Sequence, residues 1–431
     1  MRMSSIVAIV VAMLSAVALF AVALGFGACS ARGMGGNGVG GSGGADGSGG
    51  GGNAGSGGGG SDGGGGGPGG GGAGGGGGTS GGIGPHEPMP VIPNLGGPTL
   101  APLSLVTITF SADPNSTADG AFGDFLVGSM WLATVGADYG ITSATHVKKV
   151  VLADTAAKTV SDSDIQTLLA GKIKDGTLPS AASTLYLIYY PPGTVVQSAF
   201  GGADTCVSVG NAAIGGYHWE GRNGTTPFPY AVVLTCANEA LADIQASASH
   251  EIMEGATDPF PSSNPAWVLT DATNPWSTLD GETADFCELL TTTEGGFSLQ
   301  QVWSNSAAKA NDRDPCIPAP SEPFYNATAT PGKVQSVAAG QSFTFDVKGW
   351  SSAPTSPWMI SADAISSPLA GGASFDPKPM LDATMMQNGQ TAHLTVTVPA
   401  GTRSKASAMI FLTSSRSLTD FSIWPVVVTV P

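Results

Sequence analysis

The run His250-Glu251-Ile252-Met253-Glu254-Gly255-Ala256-Thr257-Asp258-Pro259 gathers one imidazole and three carboxylates in ten residues. On a helix turning about 100° per residue, His250 and Glu254 stand one turn apart on one face, and Asp258 follows a turn later. A histidine and a glutamate at this spacing can hold a divalent metal. Glu251, beside the histidine, is then placed to act as a general base toward water. The familiar zinc-hydrolase helix reads H-E-x-x-H; here Glu254 takes the place of the second histidine, giving H-E-x-x-E. The rival for His250 and Glu254 is a buried polar network without a metal.

These residues need a scaffold. The spacing predicts a helix from near Asn238, with Leu241, Ile244, Ala248 and Ile252 facing a core and Ser247, His250, Glu254 and Asp258 facing a cleft; Pro259 stops it. Upstream, Leu103 to Phe110 alternates like a half-buried strand, while Thr184 to Tyr190 and Tyr230 to Leu234 read as further strands. Ala121 to Tyr139 has helical spacing. Ser163-Asp164-Ile165-Gln166 reads as a capping box opening another helix. Strands alternating with helices predict an α/β or α+β, metallopeptidase-like domain over residues 101–320. From 321 to 431 the pattern changes to short strands without helices, which predicts an all-β sandwich of immunoglobulin or fibronectin type.

Arg2, an apolar run from Ile6 to Ala28 and the small residues before Cys29 describe an export signal over residues 1–28. The cysteine at that place resembles a bacterial lipoprotein signal, so Cys29 is the expected lipidation site and the membrane the expected partner. The expected location is the bacterial outer membrane or cell surface. A single-pass anchor or plain secretion is the alternative. Residues 29–100 form the expected linker. Its stretch 33–85, almost all Gly with Ser, Ala and Asn, cannot bury apolar surface and reads as a disordered tether spanning about 40 Å on average. A net charge of -16 speaks against nucleic acid as a partner. Four cysteines remain beyond Cys29. Of their three possible pairings, Cys206–Cys236 and Cys287–Cys316 each close a loop of about 30 residues, worth on the order of 3 kcal/mol in the chain-entropy model. No C-x-x-C pair is present to suggest a cysteine metal site.

Four segments go together: Gly216-Tyr217-His218, the motif helix, Gly281-Glu282-Thr283-Ala284-Asp285-Phe286-Cys287, and Gln301-Val302-Trp303-Ser304-Asn305. In this order they resemble the Exordium (phosphate-induced protein) family and its bacterial relatives, with an s/g-H-E-l-x-E-x-x-x-[DN]-P helix, an E-I-G-D-x-C segment and a Q-x-x-W-S motif. The resemblance covers roughly residues 103–320. Thr283-Ala284 stand where the family has Ile-Gly, and the Gln301 segment is one residue shorter than the family's spacing. The resemblance implies a secreted or wall-facing protein and brings His250, Glu251, Glu254, Asp258, Glu282, Asp285 and His218 together as matched positions.

A catalytic zinc takes three protein ligands. His250 and Glu254 supply two, and Asp258 lies about 12 Å along the helix axis from His250. Asp285 or Glu282 is therefore the preferred third ligand, with His218 next. Glu251 is the expected base, and Asp258 orients His250 or caps the helix. The function expected is a zinc-dependent, metallopeptidase-like hydrolase acting on peptide or cell-envelope material. The alternatives are a non-catalytic extracellular structural protein and a carbohydrate-binding lipoprotein. The anchor is directly testable: in a bacterial host the chain should incorporate labelled palmitate, and Cys29→Ala should abolish the label, whereas persistence of label in the variant would refute lipidation at this residue.

Overall fold

The computed structural model describes residues 83–431, apart from 181–182, 198–205, 207–214, 237–238, 321–322, 366–372 and 418. The leader, Cys29 and most of the Gly-rich stretch lie outside the described residues. The first part contains, in chain order, β1 (Leu103–Phe110), α1 (Ser116–Leu126), α2 (Met130–Val135), β2 (Ala144–Leu152), β3 (Thr159–Ser161), α3 (Asp162–Lys174), β4 (Thr184–Tyr190), β5 (Val195–Gln197), β6 (Gly216–Asn223), β7 (Thr226–Leu234) and α4 (Leu241–Thr257). There follow β8 (Thr291–Glu294), β9 (Phe297–Gln300), β10 (Val302–Trp303), α5 (Asn305–Ala310) and β11 (Cys316–Ile317).

The centre is a five-stranded sheet in the order β2-β1-β4-β7-β6. β2, β1, β4 and β7 are parallel, and β6 closes the edge antiparallel to β7. This is a mixed α/β architecture. Alternate residues of each central strand enter opposite cores. Leu105, Leu185, Leu187 and Val233 meet α1, α2 and α4 on one face. Val106, Ile108, Ile188 and Val232 meet Ile165, Leu169 and Ile173 of α3 on the other. A parallel sheet covered on both faces buries every position, and that corrects the expectation for β1. Its alternation Leu-Ser-Leu-Val-Thr-Ile-Thr-Phe looks half-exposed, yet Thr107 and Thr109 are buried. Thr109 Oγ1 stands 2.6 Å from Ser116 Oγ, so the hydroxyls pair inside rather than face water.

Two helical expectations also shift. The segment 121–139 is two helices and a 3-10 turn, because Ser129 accepts a hydrogen bond from Leu132 N and starts α2 afresh. The capping box of α3 is made by Ser161 and Asp164, two residues earlier than the Ser163 pattern suggested.

The C-terminal part is all-β among its described residues: β12 (Tyr325–Thr330), β13 (Gln335–Ser336), β14 (Ser342–Ser351), β15 (Trp358–Ile365), β16 (Lys378–Leu381), β17 (Met385–Met386), β18 (Thr391–Thr397), β19 (Ser407–Ser415) and β20 (Phe421–Thr429). They form two sheets, β12-β14-β18-β16 and β13-β20-β19-β15-β17. Both sheets feed one apolar cluster, which runs across residue 320 to include Trp276, Phe286 and Trp303. The disulfides are Cys206–Cys236 and Cys287–Cys316, the pairing that closes the two short loops, and both fit an oxidising compartment outside the cytoplasm. Among the described residues no helix is long and apolar enough to cross a membrane.

Asp119 of α1 is buried beside Asp113, and burial followed by repulsion from that neighbour pushes its pKa from 3.8 up to about 7. The folded state therefore holds this proton more tightly than the unfolded chain. The associated stability is complete below 3.8 and is lost as pH rises through about 7. Asp119→Asn should be more stable than the parent in urea above neutral pH, with the gain vanishing toward acid. A gain that is constant with pH would contradict this.

Candidate metal centre

α4 brings the motif to the centre of the molecule. Ile244, Ala248, Ile252, Met253 and Ala256 pack into the sheet core. The opposite face is not a cleft, as its polarity suggested. β9 and the loop from Gly281 to Glu288 lie across it, and His250, Glu251 and Glu254 are 0% exposed. The helix approaches the sheet closely because glycines permit it. A Cβ at Gly255 would stand 2.8 Å from Leu185 Cδ1, and one at Gly216 would stand 2.9 Å from Glu251 Oε1. Gly216 opens β6, so its smallness lets Glu251 and the neighbouring His218 share a space.

Glu254 is the hub. Its Oε1 accepts hydrogen bonds from the backbone N–H groups of Ala284 and Asp285, both at 3.2 Å. Its Oε2 stands 3.0 Å from His250 Nε2 and 3.6 Å from His218 Nδ1. The acidic loop is held to the helix a second time by Thr257 and Thr283, whose hydroxyls are 3.1 Å apart. A third hold is the Cys287–Cys316 disulfide. Asp285 Oδ2 accepts from Glu282 N at 2.9 Å, and its Oδ1 stands 3.7 Å from His250 Nε2. Glu282 Oε1 faces the other side of His218, 3.7 Å from Nε2. Glu251 Oε2 is 3.8 Å from His218 Nδ1. The structure thus brings His218, His250, Glu251, Glu254, Glu282 and Asp285 together. Asp258 plays a different part: it leaves the helical conformation at the C-cap and accepts from Ala266 N at 2.7 Å, ending α4.

Two further residues reach the site without having been singled out from the sequence. Gln300 Oε1 stands 3.0 Å from His250 Nδ1, while Gln300 Nε2 donates to Ala284 O at 2.8 Å. The second bond fixes the amide's orientation, so Oε1 must accept. In its neutral form His250 therefore carries its proton on Nδ1, which leaves the Nε2 lone pair facing Glu254 and Asp285, the form a metal ion would take. Gln301, the residue counted from the sequence, donates instead to Pro318 O at 2.8 Å. Adjacent strand residues point to opposite sides, so an offset of one exchanges a site residue for a bystander. The other addition is Glu288, next to Cys287, whose Oε1 is shut from solvent and makes no hydrogen bond. An acid directly after the paired cysteine was the available signal.

The electrostatics are severe. For His250, burial opposes the cation, but Glu254 and then Glu251 and Glu288 outweigh it and lift the pKa to about 10. Burial likewise disfavours the His218 cation, yet Glu282, Glu251 and Glu254 hold its pKa well above the usual value. Glu254 is held below the usual carboxylate range, burial notwithstanding, by His250 and His218. Burial and the nearby Glu254 push Asp285 far up, and burial takes Glu288 to about 8. Glu251 is raised too, chiefly by burial.

His218, Glu251 and Glu254 offer ligand atoms all within 4.8 Å of one another, as do His250, Glu254 and Asp285. Asp285 Oδ1 and both oxygens of Glu251 are buried and make no hydrogen bond. Buried polar atoms are normally paired, so a cluster of unpaired donor atoms aimed at one space fits a metal ion. Mixed nitrogen and oxygen donors of this kind suit zinc and its first-row neighbours.

No family model matches this sequence, and no curated protein matches it. Among solved structures, a Bacteroides ovatus GH5 xyloglucanase in complex with a XXXG heptasaccharide is similar over 25% of this chain and 19% of that one, with 14% sequence identity and a TM-score of 0.17. A likeness that slight carries no argument about fold or function.

Because Gln300 fixes the tautomer of His250, Gln300→Ala should weaken metal affinity about 10–100-fold in a chelator-competition titration, the usual cost of losing an outer-shell partner. Gln301→Ala should leave affinity unchanged. An equal loss in both variants would mean that the strand matters and the His250 hydrogen bond does not.

Proposed function

We propose that this chain is an exported, membrane-tethered metalloprotein of hydrolase type, with zinc held by His250, Glu254 and Asp285, acting on peptide or cell-envelope material. One observation carries the reading. Glu251 follows a candidate ligand directly in sequence, is fully buried, and has two carboxylate oxygens that make no hydrogen bond. A structural glutamate at 0% exposure would be expected to pair both oxygens; a general base must keep one available.

A bound zinc ion would supply Lewis-acid polarisation of a carbonyl and make water more acidic. The residues of the chain do the rest. Glu251 takes the proton of the attacking water and can return it to the leaving amine. Gln300 keeps the His250 proton on Nδ1. The Ala284 and Asp285 amides hold Glu254 in its ionised form. Full enclosure excludes bulk water from the reacting groups, which strengthens every electrostatic contact among them.

The resemblance to the Exordium family supports the same residues. Gln300, rather than Gln301, stands three residues before Trp303, which gives the Q-x-x-W-S spacing in Gln300-Gln301-Val302-Trp303-Ser304. The lipoprotein-like leader, the Gly-rich tether and two disulfides support action outside the cytoplasm. In this reading the C-terminal sheets form an immunoglobulin- or fibronectin-like sandwich that presents the domain.

A second reading has its own observation. Structural metal sites are closed, whereas catalytic ones keep an open position, and every residue named in this centre is enclosed except the partly exposed Glu288. On that reading the ion clamps α4 to the acidic loop of a non-catalytic surface protein. Glu251→Gln separates the two. For a hydrolase, zinc content and melting temperature stay near those of the parent while hydrolysis of a peptide and peptidoglycan-fragment panel falls about 100-fold or more, the usual contribution of a general base. If the parent binds zinc yet cleaves nothing, and chelation lowers the melting temperature, the structural reading stands and the hydrolase is excluded.

A further inference from the structure

We propose that the centre holds two divalent cations rather than one, bridged by the Glu254 carboxylate. His218, Glu251 and Glu254 form one cradle; His250, Glu254 and Asp285 form the other. The inference rests on the metal reading of these residues and changes what they do: His218 and Glu251 become ligands, Glu251 gives up the role of base, and Glu282 becomes a positioning residue; Glu251→Gln then costs one ion, where a mononuclear centre keeps its metal content.

Distance is the first argument. A tetrahedral ion with bonds of about 2.1 Å spaces its ligand atoms about 3.4 Å apart. In the first cradle, His218 Nδ1 stands 3.6 Å from Glu254 Oε2 and 3.8 Å from Glu251 Oε2. In the second, His250 Nε2 stands 3.0 Å from Glu254 Oε2 and 3.7 Å from Asp285 Oδ1. The second set brackets the expected edge, and the first exceeds it by 0.2–0.4 Å. They share Glu254 Oε2, and their imidazoles come from different elements, β6 and α4.

Ring orientation is the second argument. A metal-ligating histidine typically gives its remote ring nitrogen to a carbonyl or carboxylate. His250 follows that pattern with a hydrogen bond, and His218 approaches it with an ion-pair contact only. His250 turns Nε2 inward and has Nδ1 on Gln300 Oε1 at 3.0 Å. His218 turns Nδ1 inward and presents Nε2 to Glu282 Oε1 at 3.7 Å. Two imidazoles from different elements, each with its inner nitrogen within 3.6 Å of the same Glu254 oxygen, describe a paired site.

Charge is the third argument. Glu251, Glu254, Glu282 and Asp285 are almost fully buried, and Glu288 has one enclosed oxygen without a hydrogen bond. Against five carboxylates, one divalent ion with neutral imidazoles leaves three negative charges inside the protein, and two ions leave one. The unpaired oxygens of Glu251 and Asp285 fall in different cradles, so a single ion in either cradle would leave the other's oxygen without a partner.

The test is stoichiometric and uses the full chain. The protein is stripped with chelator, reloaded with Zn2+ or Co2+, dialysed, and assayed for metal per chain by mass spectrometry. The Co2+ form is also examined by electron paramagnetic resonance for coupling between ions. Two equivalents are expected, with the second equivalent of Co2+ broadening or quenching the signal of the first. His218→Phe and His250→Phe should each retain one equivalent. One equivalent in the parent, unaffected by His218→Phe, overturns the paired site while leaving the mononuclear hydrolase intact. No metal at all overturns both proposals. If a histidine variant does not fold, the Co2+ titration of the parent decides: saturation at one equivalent refutes the proposal and coupled saturation at two supports it.

Discussion

The dominant constraint in this molecule is uncompensated negative charge in its interior. Four fully enclosed carboxylates and the partly exposed Glu288 converge on two buried imidazoles. Even with both rings protonated and every acid ionised, the cluster would carry three negative charges. Burying one unpaired carboxylate costs several kcal/mol after relaxation, far more than a domain can bear several times over. The cluster must therefore take up protons or cations. The opposed shifts within it, Glu254 driven down while Asp285 and Glu288 are driven up, are what such a cluster does when only protons are available. A cation answers the same demand without neutralising the acids, and it does so with the donor atoms left unpaired.

Much of the surrounding structure can be understood as serving that convergence. Three segments distant in sequence must meet within hydrogen-bond range: β6, the last two turns of α4, and the loop from Gly281 to Glu288. Gly216 and Gly255 remove the side chains that would hold helix and sheet apart. The Glu254 carboxylate is itself the fastener for the loop, since two backbone amides of that loop have it as their acceptor. The group most central to the chemistry is thus also the group that positions its neighbours. Substitution of Glu254 cannot be interpreted through chemistry alone, which is why Glu251 and Gln300, whose changes leave that fastener in place, are the more informative positions.

The helix of the site was legible because a helix repeats locally. His250 and Glu254 meet through i,i+4 spacing that any helix imposes, and Cys287 marked the acidic loop through a short disulfide. Other features depend on tertiary context. Nothing in Leu103 to Phe110 says that Thr107 and Thr109 are covered on their polar side, because that cover comes from α1 and a neighbouring strand. Gln300 and Gln301 are chemically identical; the three-residue interval to Trp303 distinguishes them in sequence, and the structure turns Gln300 toward Ser249 and His250 while Gln301 reaches Pro318. The polar face of α4 looked like the wall of a cleft because polarity usually means water. Here it means other polar side chains, brought by segments up to 50 residues away.

The C-terminal sheets bear on the centre as well. Phe286 lies between Asp285 and the disulfide-bonded Cys287, and its ring packs against Trp276 and Trp303 at about 5 Å between centroids. Trp276 in turn meets Trp424 of β20 edge-on at 5.6 Å. Aromatic contacts of this geometry each add about 0.5–1.5 kcal/mol beyond the area they bury. The acidic loop is therefore backed by a rigid aromatic wall that belongs partly to the second sheet system. A loop held by a disulfide on one residue, a tryptophan cluster on the next and a helix carboxylate on its amides has little freedom to rearrange around an ion. The donor positions are set before any ion arrives, and the all-β region contributes to setting them through Trp424.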